Sequence, residues 1–420
     1  MRAEIIAVGS ELLTPFRQDT NSLWLTNELN RLGIRVVHKA IVGDAPDEMR
    51  SSFRYAMDRA DVIISCGGLG PTDDDRTRET VAELLGRKLK LNEEILRGIQ
   101  ERFRRFARTM PEINARQAMV PEGATILPNS RGTAPGLWLE AGGHIIVMLP
   151  GVPHELKTLF ENEVRPRLGR VAPAERLYTR ELRISGLPES EVETRVRPLY
   201  ALYPDTETTI LSAPTGIQLH PRIWSSDAAH AEAILNEITS RMALALGEYL
   251  YSTHGETLEE VVARLLTENR TTVAVAESCT GGMLAERLTN LAGSSAYFLG
   301  GVVCYSNELK TAWAGVPAEL IQAKGAVSAE VAVALADGIR RRVGSTFGVG
   351  ITGVAGPGGG TEEKPVGTVH IALSHSGGVK ERGVRFPGDR ESIRWQASQA
   401  ALDMVRVHFL YNGKQPLKRT

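Results

Sequence analysis

The segment TVAVAESCTGG (272–282) constrains this chain more than any other. An apolar run rich in β-branched residues stops at a serine and a cysteine, and two glycines then open a helical pattern. That order describes a strand delivering a hydroxyl to a helix N-terminus, where unpaired backbone N–H groups and the positive end of the helix dipole gather. Such a turn suits a nucleophile attacking a carbonyl, or a group holding an anion. It equally describes a Ser/Thr cap ahead of an ordinary core helix.

The first third of the chain repeats the strand-then-helix order. Glu4–Val8, Ile34–Lys39 and Val62–Ser65 read as strands. Helices fall between them over Thr20–Leu32 (inner positions Leu23, Trp24, Asn27 and Leu29, closed by Gly33) and Asp47–Arg59. This alternation predicts an α/β fold with a parallel sheet covered by helices. GGLGPTDDD (67–75) follows the third strand directly, at the sheet edge where open α/β folds bind ligands. A helix over Asn92–Phe106 comes next, then the strand IIVML (145–149), a Pro/Gly turn and a helix starting near His154.

VAPAE (171–175) reads as a short linker. Residues 178–250 give a strand, a helix (Pro188–Leu199), further strands and the long Ala228–Ala245 helix. This small α+β module has no glycine-rich loop and no basic run, so it reads as a connector or dimerisation piece. A third unit begins near Gly255 with the helix Leu258–Asn269 and runs to about Asn412, leaving Gln415–Thr420 as a polar tail expected to be mobile. The expected domains are 1–170, 176–252 and 255–412.

A chain of 420 residues is too long for one ordinary core. Its 49 Lys+Arg against 50 Asp+Glu lack the electrostatic footprint of a dedicated nucleic-acid binder. The helix carrying Arg97, Arg102, Arg104, Arg105 and Arg108 is the local exception. Its expected role is a solvated face whose charges pair with Glu93, Glu94 and Glu101. Three scattered cysteines, Cys66, Cys279 and Cys304, argue for a reducing compartment, and no apolar run has the length of a membrane span. The start of the chain is already a strand and turn, not a signal peptide, so a soluble cytoplasmic protein is expected. No CxxC and no helical pair of histidines argue against a tightly held structural metal, which leaves room for a magnesium ion on carboxylates.

In the third unit, three segments sit just past strand ends: ESCTGG (277–282), YSNELK (305–310) after the strand Ala296–Cys304, and GVAGPGGG (353–360) after Phe347–Ile351. If those strands are parallel neighbours, the loops converge on one rim. Lys310 then reaches toward Ser278, and a lysine whose pKa falls on desolvation can serve as the base of a serine–lysine pair. Backbone N–H groups at Cys279–Gly281 or in the glycine loop would stabilise an oxyanion. Cys279 is the rival nucleophile, with a small buried hydrophobe as its plainer role. The glycine loop lacks the Gly-Lys-Ser/Thr ending of a Walker loop, yet its five glycines in eight residues allow close approach to a ligand. Arg390, before the last helix, can bind a phosphate bidentately or pair with a surface carboxylate.

AESCTGG (276–282), AGSSAYF (292–298), YSNELK (305–310), GAVS (325–328), GVAGPGGG (353–360), EEKPVGTV (362–369) and GDR (388–390) occur in order. In them the third unit resembles the CinA C-terminal domain, the nicotinamide mononucleotide deamidase family. AVGSELL (7–13), DTN (19–21), GGLGPTDDD (67–75), GTAPG (132–136) and LPGVPHE (149–155) make the first unit similar to the MoaB/MogA-like molybdopterin-binding fold. The whole chain thus looks like a full-length CinA-family member with a KH-like module between two larger domains.

The resemblance implies hydrolysis of the carboxamide of nicotinamide mononucleotide to nicotinate mononucleotide and ammonia, without a cofactor. Ser278 falls on the nucleophile position and Lys310 on the base position. Tyr305, Ser295, Cys279, Thr280, Gly281, Gly353, Ala355 and Gly356 line the site, and Arg390 contacts phosphate. For the first unit it implies a ligand site at Gly68, Gly70, Thr72, Asp74, Asp75, Gly151 and Glu155. Some relatives there split ADP-ribose with a divalent metal such as Mg²⁺, for which Asp74 and Asp75 are the candidate ligands. The alternative is that this carboxylate pair only caps a helix. One departure stands out: Pro15 replaces a glycine usual in the first loop, and proline cannot take a positive φ. The implied partners are nucleotide substrates and a second copy of the chain. The competing readings are a non-catalytic first domain and an accessory protein of competence or DNA damage.

Overall fold

The computed structural model describes residues 1–213 and 216–411. Asn412, placed at the end of the third domain, and the tail Gln415–Thr420 lie outside the described residues. The chain divides into two compact units, Met1–Leu177 with Trp224–Ala228, and Tyr178–Ile223 with the chain from Ala229 onward.

The first unit runs β1 (Arg2–Val8), α1 (Thr20–Arg31), β2 (Arg35–Val42), α2 (Pro46–Arg59), β3 (Val62–Cys66), α3 (Thr77–Leu84), β4 (Leu89–Leu91) and α4 (Glu93–Arg105). It continues through β5 (Met119–Pro121), β6 (Thr125–Leu127), β7 (Gly136–Ala141), β8 (His144–Leu149), α5 (Pro153–Leu159) and α6 (Arg165–Val171). Its main sheet has the order β2-β1-β3-β8-β7-β6. The first four strands are parallel, and their side chains alternate between two cores. Ala3, Ile5 and Ala7 pack with Leu25, Leu29 and Leu156, while Ile6 and Val8 pack with Met49, Phe53 and Val81. Burial on both faces is why the inner strands β1, β3 and β8 read as largely apolar runs, whereas the edge strand β2 is mostly exposed.

Two expectations change here. The sheet is not wholly parallel, because β7 and β6 run antiparallel at its edge. The cause is Gly142-Gly143, whose φ angles of 58° and 84° fit the tight hairpin that joins β7 to β8. On α1, Leu23 is 63 % exposed and Asn27 faces solvent, while Ser22, Leu25, Glu28 and Leu29 form the buried stripe. Glu28 tolerates burial because Arg31 and Arg165 both pair with it.

In the second unit, β9 (Arg176–Thr179), β10 (Leu182–Ile184), α7 (Glu189–Tyr200), β11 (Thr206–Ala213), β12 (Gly216–Ser225), α8 (Ala228–Leu246) and β13 (Leu250–Ser252) make a small layer. Its strands pair in the order β11-β12-β10-β13, antiparallel, over Val192, Val196, Ile238 and Met242. There follow α9 (Leu258–Glu268), β14 (Val273–Glu277), α10 (Met283–Thr289), β15 (Phe298–Val303), α11 (Asn307–Ala314) and α12 (Ala318–Lys324). The chain closes with α13 (Ala329–Val343), β16 (Phe347–Gly353), β17 (Thr368–His375), β18 (Gly378–Arg385) and α14 (Arg390–Leu410).

This second sheet has the order β15-β14-β16-β17-β18, the first three parallel and the last two antiparallel. Val273 and Val275 pack toward α9 and α14, and Ala274 and Ala276 toward α11 and α13. Helix α13 lies unusually close to β16. A Cβ at Gly350 would stand 2.4 Å from the Ala332 carbonyl oxygen, so only glycine fits there. No helix among the described residues is long and apolar enough to cross a membrane.

Candidate active site

Ser278 follows β14 directly, and its N–H donates to the Ile351 carbonyl of β16 at 2.9 Å. Cys304, just past β15, donates its N–H to the Glu277 carbonyl at 2.7 Å. Because β15, β14 and β16 are adjacent and parallel, the three loops that follow them leave from one rim. Ser278, Tyr305, Lys310 and the glycine loop therefore gather at one edge.

Lys310 sits in the first turn of α11 and is 2 % exposed; Ser278 is 8 % exposed. The Lys310 Nζ donates to the Tyr305 carbonyl at 3.1 Å. No carboxylate among the described residues forms an ion pair with it. Burial pushes its pKa down from 10.5, against the opposing pull of the Cys304 and Cys279 sulfurs and of Glu308. The rival nucleophile is disfavoured by its surroundings. Burial pushes the Cys279 thiol up to about 12, and Glu277 adds to this against the backbone N–H groups of residues 279 and 280 and the charge of Lys310. A thiol held neutral is a poor nucleophile.

The helix N-terminus is not open in the way the turn implies. Glu277, buried at the end of β14, accepts from the N–H groups of Gly282 (3.1 Å), Leu284 (3.1 Å) and Ala285 (2.8 Å). The strand's own carboxylate therefore caps α10 and takes up its positive end. Gly281 N–H is also occupied, donating to the Ser278 carbonyl at 3.1 Å. Gly281 and Gly282 supply the positive φ values, 61° and 95°, that turn the chain. Of the oxyanion donors expected at Cys279–Gly281, Gly281 is thus withdrawn.

Helix α14 contributes two guanidinium groups to this rim. Arg390 donates to the Gly356 carbonyl at 2.7 Å and to the Tyr305 hydroxyl at 2.9 Å, tying together three residues expected in the site. Arg394, one turn on, donates twice to the Thr280 carbonyl, at 3.1 and 2.8 Å. Sequence reasoning missed Arg394 and Glu277. The four-residue spacing from Arg390, which puts both on one helix face, was the available signal for Arg394.

Two expected site residues, Ser295 and Ala355, do not face the rim. Ser295 precedes β15 at the opposite end of the strand from the rim, about 17 Å away for five strand residues. Ala355 is buried in the core beneath the glycine loop. Gly353, at the end of β16, stays on the rim but has no room for a side chain: a Cβ there would meet the Thr368 carbonyl oxygen at 2.7 Å. The exposed part of the loop is Pro357–Gly360.

In the first unit, a cleft of about 440 Å³ opens at the C-terminal ends of β1, β3 and β8. Gly68, Gly70, Asp74, Asp75, Gly151 and Glu155 line it. Thr72 instead ties the loop: its N–H donates to the Asp75 carboxylate at 3.0 Å, as does its hydroxyl. Asn129 donates to Glu155 at 2.7 Å. Hydrogen bonding from Thr72 and from its own backbone N–H holds the exposed Asp74 carboxyl below its ordinary range. Among the described residues no three His, Cys, Asp or Glu side chains gather to hold a metal ion. Asp75 accepts from Thr72 and Glu155 from Asn129, so both carboxylates have partners within the cleft. Arg78 was also missed. Fully buried, it donates to the Leu69 (2.8 Å) and Gly70 (3.1 Å) carbonyls and pins the glycine loop from below.

The arginines of α4 also depart from expectation. None of the five forms an ion pair with a carboxylate among the described residues. Arg97 reaches the Glu93 carbonyl, and Arg102 the carbonyls of Ser130 and Arg131.

Residues 255–409 match the family model described as "CinA C-terminal domain", and residues 4–170 the one described as "Probable molybdopterin binding domain". A CinA-like protein of Koribacter versatilis is 50% identical over 410 residues, covering 97% of this chain and 99% of the relative. One from Solibacter usitatus is 48% identical over 406 residues, with 97% and 98% covered. A crystal structure of a competence/damage inducible protein from Agrobacterium tumefaciens is 41% identical, covers 37% of this chain and 96% of its own, and superposes with a TM-score of 0.35. The chain belongs to the CinA family, with a MoaB-like α/β region ahead of the CinA C-terminal domain.

Proposed function

We propose that the second unit is an amidohydrolase that converts nicotinamide mononucleotide to nicotinate mononucleotide and ammonia, a step of pyridine nucleotide recycling. The observation that carries this reading is Lys310, a buried amine with no carboxylate ion pair among the described residues, on the same rim as Ser278. Desolvation favours its neutral form, and one of its N–H groups is fixed on the Tyr305 carbonyl, leaving a lone pair to accept a proton.

In this reading the Ser278 hydroxyl passes its proton to Lys310 as its oxygen bonds to the carboxamide carbon. The tetrahedral oxyanion collapses, the C–N bond breaks, and the leaving nitrogen takes the proton from Lys310 and departs as ammonia. Water then attacks the acyl ester, Lys310 again accepts the proton and returns it to the serine oxygen, and the acid is released. Arg390 and the exposed glycines 358–360 face the part of the rim suited to the nucleotide phosphate.

Ammonia release from nicotinamide mononucleotide tests this. Ser278→Ala should abolish it and Cys279→Ala should retain most of it; the reverse pattern would transfer the nucleophile to Cys279.

For the first unit we infer a site for a phosphorylated ligand. The supporting observation is Arg78, a buried guanidinium beneath the Gly67–Gly70 loop that among the described residues hydrogen-bonds carbonyls and no carboxylate, with Glu79 and Asp75 acting on it only at longer range, which favours an anion above it.

A further inference from the structure

Arg394 spends its guanidinium in an unusual way. Its Nε and Nη2 both donate to one neutral oxygen, the Thr280 carbonyl, at 3.1 and 2.8 Å. No carboxylate among the described residues forms an ion pair with it. That carbonyl otherwise meets only the Met283 N–H, at a long 3.4 Å. The Thr280 hydroxyl, fully buried, has no hydrogen-bond partner among the described residues, so the side chain does not fix this part of the turn.

The peptide joining Thr280 to Gly281 is thereby held at both ends. Arg394 holds its oxygen, and its N–H donates to the Ser278 carbonyl at 3.1 Å. At the other end of the turn, the Ser278 N–H is fixed on the Ile351 carbonyl at 2.9 Å. Two peptides lie between these anchors, and they carry the N–H groups of Cys279 and Thr280. Those two donors reach no oxygen acceptor among the described residues. The amides of Gly282, Leu284 and Ala285 are taken by Glu277. Cys279 and Thr280 therefore hold the pair left free for an oxyanion formed at Ser278.

The helix itself does not depend on Arg394 for its seat. Arg287 ties α14 to α10 through Ser398 and Gln399 and lies over Trp395. Arg390, one turn earlier, takes the Gly356 carbonyl and the Tyr305 hydroxyl instead. Arg394 alone reaches the turn behind the serine.

We propose that Arg394 is a positioning residue: by clamping the Thr280 carbonyl, it aims the Cys279 and Thr280 N–H groups at the oxygen of the tetrahedral intermediate. This rests on the reading of the rim as a serine amidohydrolase. Gly281 and Gly282 follow at once with positive φ, so without the clamp the turn has the freedom to rotate and the donors stray. A misplacement of about 1 Å in such a site costs on the order of a hundredfold in rate. Arg394 hydrogen-bonds to neither the Ser278 hydroxyl nor the Lys310 amine, so it carries no proton in the reaction.

The test is steady-state ammonia release from nicotinamide mononucleotide by the full chain. Arg394→Gln should lower kcat at least about thirtyfold while KM stays within about threefold, because oxyanion donors act in the transition state. Arg394→Lys, which keeps one charged donor, should retain more activity than the glutamine variant. Methylguanidinium added to Arg394→Ala should raise its rate at least about fivefold by refilling the fork. The pH midpoint of kcat should match the unaltered protein, and melting should fall by no more than about 3 °C. A raised KM with kcat intact would make Arg394 a substrate contact. A moved pH midpoint would make it act through Lys310. Lost melting temperature with kcat intact, or lost activity that neither lysine nor methylguanidinium restores, would make it a strut. Each of these overturns the proposal and leaves the amidohydrolase reading standing. If the unaltered chain releases no ammonia, that reading falls and the proposal falls with it.

Discussion

At the scale of single residues, the second unit contrasts two buried groups that meet opposite electrostatic surroundings. Glu277 is given three N–H partners, and its charge is absorbed by α10. Lys310 is given one carbonyl and, among the described residues, no ion pair, so burial outweighs the pull of Glu308 and works against its ammonium form. Activity should therefore rise with pH as this amine loses its proton, with a midpoint below the 10.5 of an ordinary lysine. Lys310→Ala should lower kcat far more than it raises KM, because a base acts in the transition state. A pH–rate profile unchanged in the variant would remove Lys310 from the chemistry. That Ser278, Lys310 and Arg390 share one rim was legible because they lie in dense motifs near strand ends. Glu277 was hidden in plain view, since nothing in a sequence says whether an acid beside a serine faces the reaction or the helix behind it.

At the scale of elements, α10 and α14 are locked by Arg287. Its guanidinium pairs with Glu259 at 2.6 Å, donates to the Ser398 hydroxyl at 2.7 Å and stacks on Trp395, all in the interior. Arg287→Met strands Glu259 and should cost about 3 kcal/mol or more in urea unfolding. A loss under about 1 kcal/mol would mean that the acid finds water instead. Another pair acts at the far end of α14. His408 packs against His375 with ring centroids 4.5 Å apart, and burial together with His375 and Lys380 lowers its pKa to about 4.

The unfolded chain takes up a proton near pH 6.5 that the native His408 refuses. Stability is therefore complete above that pH and falls between about pH 6.5 and 4, by up to roughly 3 kcal/mol. His408→Phe should flatten that part of the stability curve, and an unchanged slope between pH 6.5 and 4 would refute this. The parallel strands were easy to read because burial on both faces leaves no polar alternation to confuse. The antiparallel edges were harder. The Gly142-Gly143 hairpin is a local signal that had to outweigh a strong global pattern. Which face of α1 turns inward depended on tertiary partners for Glu28 that sequence periodicity does not reveal.

At the scale of the whole molecule, the middle layer and the C-terminal sheet fall into one compact unit. Helix α14 helps to hold them. Arg406 donates to the Glu248 carbonyl at 2.6 Å, and Tyr411 to the Glu248 carboxylate at 2.9 Å. A fragment starting at Ser252 loses this acceptor residue. It should melt roughly 5 °C or more below one starting at Tyr178, while both still release ammonia. Equal melting temperatures would make the middle layer energetically separate. Ser295 belongs to this scale as well. Motif order along the chain says nothing about which end of a strand a loop occupies, and only the three-dimensional path put it away from Ser278.

The acid behind the serine has one more effect. Since the amides of α10 are already satisfied by its carboxylate, the turn keeps its shape whether or not anything is bound, and entry of a ligand carries little ordering cost. In the proposed reaction a newly made acid would find the end of α10 already occupied, so its accumulation should slow turnover little.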